Sequence, residues 1–290
     1  MVPNRDKHVP DHKSRSPAAK AHGRARRLSA TLDSEPGLDT ASLEQDPGLM
    51  AAVERELGPN ALGFLKRVYR DGLSRYQARI KAVGLSGREH VLDAGCGLGQ
   101  WSFVLARDCG RATGIDLARE RVAVCRLLAQ AARCDNAHFV AGSLEALPFG
   151  DRSFDGLLSY SVVYFTDYRR TFAEFHRVLR SGGLLYVSTN AIGRYLYDVV
   201  RNPNPAADFN PRRYGVRSLV NTFLGRRQGL SAERGTAAMS HRGTRAALAE
   251  VGFEVLALGP EGSLGAGGEP FQFGRYLGLP GVFDVLARRR

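Results

Sequence analysis

The run Val91 to Trp101, VLDAGCGLGQW, constrains this chain more than any other stretch. It reads as a short apolar strand with an acidic residue near its end, then a glycine-rich turn. An amphipathic helix follows to about Arg107. Gly95, Gly97 and Gly99 permit positive φ and remove the Cβ atoms that would hold a ligand away from the backbone. The helix points its free N–H groups back at the turn and favours negative groups there. Asp93 lies two residues before the first glycine, where a carboxylate either orders the turn or meets a cationic ligand. In an α/β chain such a strand-turn-helix marks the crevice at the carboxyl ends of a parallel sheet.

The spacing narrows the ligand. A dinucleotide fingerprint is G-x-G-x-x-G, whereas Gly95-Cys96-Gly97-Leu98-Gly99 is one residue shorter. A second strand, ATGIDL, ends in Asp116, where a carboxylate can accept hydrogen bonds from ribose hydroxyls. Its distance from Gly95 matches the ~20 residues of one strand-helix-strand step. HFVAGSLEALPFGDRSFDGLLSY then supplies a third strand, a polar turn and a fourth strand, and FHRVLRSGGLLYVSTN a helix, a glycine turn and a fifth strand. In that order, Val91 to Asn190 resembles the class I S-adenosylmethionine-dependent methyltransferases, in particular their ubiquinone/menaquinone-biosynthesis-like small-molecule branch.

The resemblance implies a Rossmann-like α/β fold with a seven-stranded sheet, six strands parallel and the seventh antiparallel, and helices on both faces. It implies S-adenosyl-L-methionine as cofactor, held by Asp93, Gly95, Gly97, Gln100, Asp116, Leu117, Ser143, Leu144 and Tyr160. Many relatives carry Gly-Asp after the third strand for the adenine amino group; this chain has Gly142-Ser143-Leu144. Serine still accepts one hydrogen bond, and the Leu144 N–H can still meet adenine N1. The reaction implied is in-line displacement at the sulfonium methyl, with a small-molecule acceptor as the partner.

The remaining chain bears on that acceptor. After the fourth strand, Tyr160, Tyr164 and Phe165 offer flat apolar faces for a ring or a sulfonium. The run lacks the Asn/Asp-Pro-Pro-aromatic signature of nucleobase and glutamine methylation. It also lacks the carboxylates that would hold magnesium, so no metal is expected. From 191 to 240 the family pattern lapses into an insert with eight arginines, in which Tyr195, Tyr197, Arg212 and Arg213 are acceptor-pocket candidates. His241, between this insert and the last αβ unit, is the candidate general base, with a helix-entry or surface histidine as the alternative. The loop 259–280, with Gly262, Gly265, Gly267 and Gly268, reads as a lid.

Residues 1–45 are read as a disordered tail, basic up to Ala30 and acidic from Thr31 to Gln45, with the domain occupying 46–290. Asp46-Pro47 caps the first expected helix, Gly58-Pro59 stops it, and a longer helix is expected from Ala61 to Val83. In that helix Tyr76 reads as core and Arg79 as a solvated charge, with contact to the ligand as the alternative for both. Arg288 to Arg290 reads as a frayed end. No apolar run approaches the ~18 residues of a membrane span and no apolar signal segment is present, which suggests a cytoplasmic protein. The four cysteines show neither paired nor metal-ligand spacing and read as reduced thiols. The net charge of +12 leaves open an RNA or protein methyltransferase using the arginine-rich insert. The missing nucleobase signature speaks against a nucleic-acid partner. The altered adenine turn leaves open a non-catalytic cofactor-binding protein.

Overall fold

A computed structural model describes residues 47–69, 72–203, 209–226, 230–231, 234–265 and 269–290. The expected tail over 1–45, together with Gly267 and Gly268, lies outside the described residues. The chain begins with α1 (Pro47–Tyr69), bent at Gly58, whose φ of 73° is not helical. Then come α2 (Ser74–Ala82), β1 (His90–Ala94), α3 (Gln100–Asp108), β2 (Arg111–Asp116), α4 (Arg119–Ala131) and β3 (Ala137–Ala141). β4 (Phe154–Tyr160), a 3₁₀ turn (Val163–Phe165), α5 (Tyr168–Val178) and β5 (Leu179–Asn190) complete the first part. The insert forms α6 (Ile192–Arg201) and α7 (Pro211–Phe223). After it stand α8 (His241–Glu250), β6 (Phe253–Pro260), the short pair β7 (Arg275–Tyr276) and β8 (Leu279–Pro280), and β9 (Val282–Arg289).

The main sheet has the order β3-β2-β1-β4-β5-β9-β6. β9 runs antiparallel to both β5 and β6, and the other pairings are parallel. The order reverses between β1 and β2 on one side and β4 on the other, and there the glycine turn leaves β1. This is the switch point at which an open α/β sheet leaves a crevice. One apolar core packs α1 to α4 against the sheet through Tyr69, Ile80, Trp101, Phe103 and Leu128. A second packs α5 and α8 on the opposite face through Phe172, Phe175, Leu248, Phe253 and Phe283.

Three sequence expectations change. The helix expected over Ala61 to Val83 is broken, because Gly72 at φ 69° separates α1 from α2. Arg288 and Arg289 are not frayed: they pair with Leu184 and Phe253 across β9, and the Arg289 guanidinium donates to the Arg177 and Leu179 carbonyls. Arg79 is not solvated but wholly buried. Its position on the inner face of α2 brings it over β5 and β9, where carboxylate and phenol partners await it.

Candidate functional site

The turn after β1 is built by its glycines. The Gly95 and Cys96 N–H groups both donate to the Ile115 carbonyl, at 2.8 and 2.9 Å, which folds the chain back over β2. A Cβ at Gly95 would lie 2.6 Å from Val162, so the residue after β1 and the turn after β4 pack in direct contact. Gly97, at φ 56°, faces the other way: a Cβ there would meet nothing within 4 Å, and its N–H donates to Asp116 Oδ2 at 2.9 Å. Asp116 Oδ1 accepts the Ala118 N–H at 2.9 Å. The carboxylate therefore bridges the ends of β1 and β2 on the open side of the turn. Leu117 beside it is 77% exposed, an apolar plate with no protein neighbour covering it.

Beneath the turn, Asp93 is buried, and its Oδ2 accepts the Ser102 hydroxyl at 2.6 Å. Its Oδ1 has no partner among the described residues, nor have Gln100 Oε1 and Trp101 Nε1. Burial, and secondarily the Asp116 charge, push the Asp93 carboxyl up to about 7. Three buried polar atoms without partners at one helix start are unusual, since such groups are ordinarily satisfied. The two oxygens suit a ligand carrying donors, and the indole N–H suits an acceptor. Ser143 Oγ accepts the Glu145 N–H at 3.1 Å, so one of its lone pairs serves its own turn, and the Leu144 side chain is buried in the core.

The Tyr160 ring stacks within an aromatic group of Tyr76, Trp101 and Phe271, with centroids 4.8 to 5.9 Å apart. Its hydroxyl donates to Glu261 Oε1 at 3.2 Å. Glu261 belongs to a buried ionic cluster. Arg79 Nη1 reaches Glu261 Oε1 at 2.7 Å, Asp284 Oδ2 at 3.2 Å and the Tyr186 hydroxyl at 2.8 Å, and Nη2 donates to the Glu269 carbonyl at 2.7 Å. Burial works against the guanidinium charge, and Tyr186 and Glu261 more than offset it. Burial also raises Asp284 to about 6. From this cluster the Gln272 N–H donates to Glu261 Oε2 at 3.1 Å, and Gln272 Nε2 donates to Ser161 Oγ at 3.1 Å. The ionic cluster thus ties Glu261 and Gln272 to the turn after β4.

Beyond that turn lies a cavity of about 240 Å³, lined by Tyr164, Phe165, Asn190, Arg194, Phe209, Tyr214 and Gln272. Burial pushes the Tyr164 phenol well above its ordinary value, so it stays protonated at neutral pH. Of the acceptor candidates read from sequence, Tyr164 and Phe165 line this cavity; Tyr195, Tyr197, Arg212 and Arg213 do not. Tyr195 is fully buried with its hydroxyl 2.8 Å from Thr236 Oγ1. Tyr197 packs on Phe273 and Tyr276. Arg212 and Arg213 sit in the exposed first turn of α7, and Arg212 Nε donates to the Val199 carbonyl. His241 lies elsewhere too. With Ser240 as N-cap it begins α8 and lines a separate cavity of about 530 Å³ with Tyr168, Ile192 and Met239. Burial, then Arg275, hold its imidazole below the ordinary value. Among the described residues no group of three or more His, Cys, Asp and Glu side chains could hold a metal ion.

Residues 91–183 match a family model described as "Methyltransferase domain". The chain is 34% identical over 167 residues to phthiotriol/phenolphthiotriol dimycocerosates methyltransferase 1 of Mycobacterium ulcerans, covering 55% of this chain and 57% of that one. It is 33% identical over 110 residues to demethylmenaquinone methyltransferase of Listeria welshimeri, covering 37% of this chain and 47% of that one. A solved structure of geranyl diphosphate methyltransferase in complex with SAM superposes with a TM-score of 0.55 at 18% identity, over 89% of this chain and 93% of that one. That likeness shows the fold. Residues 91–183 thus match a methyltransferase domain, and the sheet has the fold of solved S-adenosylmethionine-dependent methyltransferases. It spans about half the length of the curated relatives it matches.

Within this methyltransferase fold, the sequence reading did not name Asn190, Arg194, Phe209, Tyr214 and Gln272, which line the candidate cavity, nor Glu261 and Asp284, the buried partners of Arg79. One local signal existed: Asn190 ends β5, at the carboxyl edge where sites form. Gln272 and Glu261 carried no such signal, because Ser161 and Arg79, which their side chains meet, are more than a hundred residues away in sequence.

Proposed function

We propose that this chain transfers the methyl group of S-adenosylmethionine to a small-molecule acceptor, by in-line displacement and without a metal ion. The carrying observation is the turn after β4: Val162 packs on Gly95 of the glycine turn, while Tyr164 and Phe165 of the same turn line the 240 Å³ cavity. Cofactor crevice and acceptor cavity thus share one wall. The residues present fit the cofactor. The open side of Gly97 leaves room for it, and Asp93 Oδ1 and Gln100 Oε1 are buried acceptors in need of donors such as an ammonium group.

When bound, S-adenosylmethionine supplies an already activated methyl carbon on a sulfonium. Asp116 accepts from ribose hydroxyls, Leu117 faces the adenine, and the Tyr160 and Trp101 rings favour a neighbouring cation. Gly95, Ser143 and Leu144 complete the cofactor side. Asn190, Arg194 and Gln272 orient the acceptor by hydrogen bonds, and Tyr164, Phe165, Phe209 and Tyr214 exclude water from it. Proximity and alignment of this kind supply up to ~7–11 kcal/mol in favourable cases. Among the described residues the lining includes no carboxylate or imidazole, which favours a nucleophile that needs no strong base. The relatives named for phthiotriol dimycocerosates and for demethylmenaquinone support the small-molecule class. Residues 46–290 form the methyltransferase domain in this proposal, with 191–240 on the acceptor side.

Asp116→Ala tests it. Losing a charged acceptor costs ~1.5–3 kcal/mol, so cofactor affinity by calorimetry should fall at least tenfold, and label transfer from methyl-labelled cofactor into a metabolite extract should fall with it. Unchanged affinity in the folded variant would overturn the assignment.

A further inference from the structure

Helix α7 is amphipathic in the inverse sense. Its buried face is polar and small: Tyr214, Gly215, Ser218 and Asn221. Ser218 Oγ donates to the Tyr214 carbonyl at 2.8 Å and accepts the Thr236 N–H at 3.0 Å, and Asn221 Nδ2 donates to the Arg234 carbonyl at 3.0 Å. Its outer face carries Val216, Val220, Phe223 and Leu224, at i, i+4, i+7 and i+8. Phe223 is 76% and Leu224 62% exposed, and the two valines are exposed as well. Single exposed apolar residues are ordinary, but four on one helix stripe mark a surface that meets something. The same outward arc holds Arg212, Arg213 and Arg217, and residues 209–226 contain no Asp or Glu.

We infer that the outer face of α7 docks on an anionic lipid bilayer. Apolar side chains flanked by arginines on one helix face are the pattern of a helix lying in a membrane interface. Its apolar side chains enter the acyl boundary and its arginine heads stay with anionic headgroups. A second copy of the chain is a poorer occupant, because a two-fold contact through this face would oppose Arg212, Arg213 and Arg217 to their own copies. The location adds a reason. Tyr214 on the inner face of α7 and Phe209 just before the helix line the 240 Å³ cavity, so the helix whose outer face docks also walls the cavity on its inner side. Docking through α7 holds the cavity one helix away from the bilayer surface, a position suited to an apolar acceptor; this point rests on the methyl-transfer reading, while the docking itself does not. No helix among the described residues is long and apolar enough to cross a membrane, so the contact is peripheral.

The test uses the full-length chain and vesicles of phosphatidylcholine, with or without an equal part of phosphatidylglycerol. The chain contains a single tryptophan, Trp101, which is 2% exposed and gives a constant background. In Phe223→Trp the added indole should shift to shorter wavelength on mixed vesicles and be quenched by brominated lipid. The double variant Phe223→Ser/Leu224→Ser should sediment with mixed vesicles at least tenfold less than the parent chain, with cofactor affinity by calorimetry unchanged. Absence of quenching at position 223 would overturn the inference, as would equal sedimentation of parent and double variant, in which case another basic segment holds the vesicle. A dimer by light scattering that the double variant abolishes, without vesicle binding, would assign the face to a second copy instead. Vesicle binding in a chain that fails to bind the cofactor would refute the methyl-transfer reading alone.

Discussion

Replacing Asp93 with asparagine should stabilise the cofactor-free protein at neutral and alkaline pH while weakening its hold on the cofactor. The Asp93 carboxyl is buried, and desolvation, aided by the nearby Asp116 charge, raises it from 3.8 to about 7. The unfolded chain releases this proton near 3.8, whereas the folded chain keeps it until about pH 7. Stability therefore falls as pH rises across that window, and the full cost is present above it. At ~1.4 kcal/mol per pH unit the difference amounts to about 4 kcal/mol, of which about 3 kcal/mol falls between pH 5 and pH 8. Asparagine is isosteric, and its Oδ1 can keep the hydrogen bond from Ser102. Asp198 and Asp284, both raised to about 6 by burial, add slopes of the same sign to both proteins and cancel in the comparison. Urea unfolding of parent and variant at pH 5, 6, 7 and 8 measures the effect. The advantage of the variant should grow by about 3 kcal/mol across the series, and calorimetry should show weaker cofactor binding. A stability difference independent of pH would refute the argument, because it would mean that Asp93 titrates alike in folded and unfolded chains.

Three further outcomes are expected. Arg79→Met leaves Glu261 and Asp284 buried without their cation and should lower unfolding free energy by ~3–5 kcal/mol in urea; a loss under 1 kcal/mol would show the cluster to be hydrated. Asn190→Ala should raise the acceptor KM at least tenfold with cofactor affinity unchanged, as measured with the acceptor once it is identified; a loss confined to cofactor binding would move Asn190 to the other side of the site. Turnover should survive EDTA, and inhibition by EDTA that magnesium reverses would contradict metal-free transfer.

The cofactor half of this protein was legible in the chain because it is local. A strand, a glycine turn and a helix follow one another within about twenty residues, and the geometry of Gly95, Gly97 and Asp116 is dictated by backbone conformation and nearest neighbours. The seven-stranded sheet with an antiparallel seventh strand is what the family resemblance of that run implies, and the structure adds the strand order. The acceptor half was not legible, because it is assembled from distant segments. Tyr164 and Phe165 follow β4 and could be named as candidates, yet Gln272 reaches Ser161 across a separation of 111 residues, and Arg79 meets Glu261 across 182. No local periodicity encodes such pairs. Tyr195 and Arg212 had suitable chemistry, but helix phase turned one into a buried hydrogen bond and the other outward on α7. His241 went to a separate cavity because Ser240 starts α8 immediately before it. Composition and motif spacing settle which residues can do the chemistry; which of them share a cavity depends on how helices α6, α7 and α8 rotate as they pack, a quantity set by side-chain contacts over the whole fold.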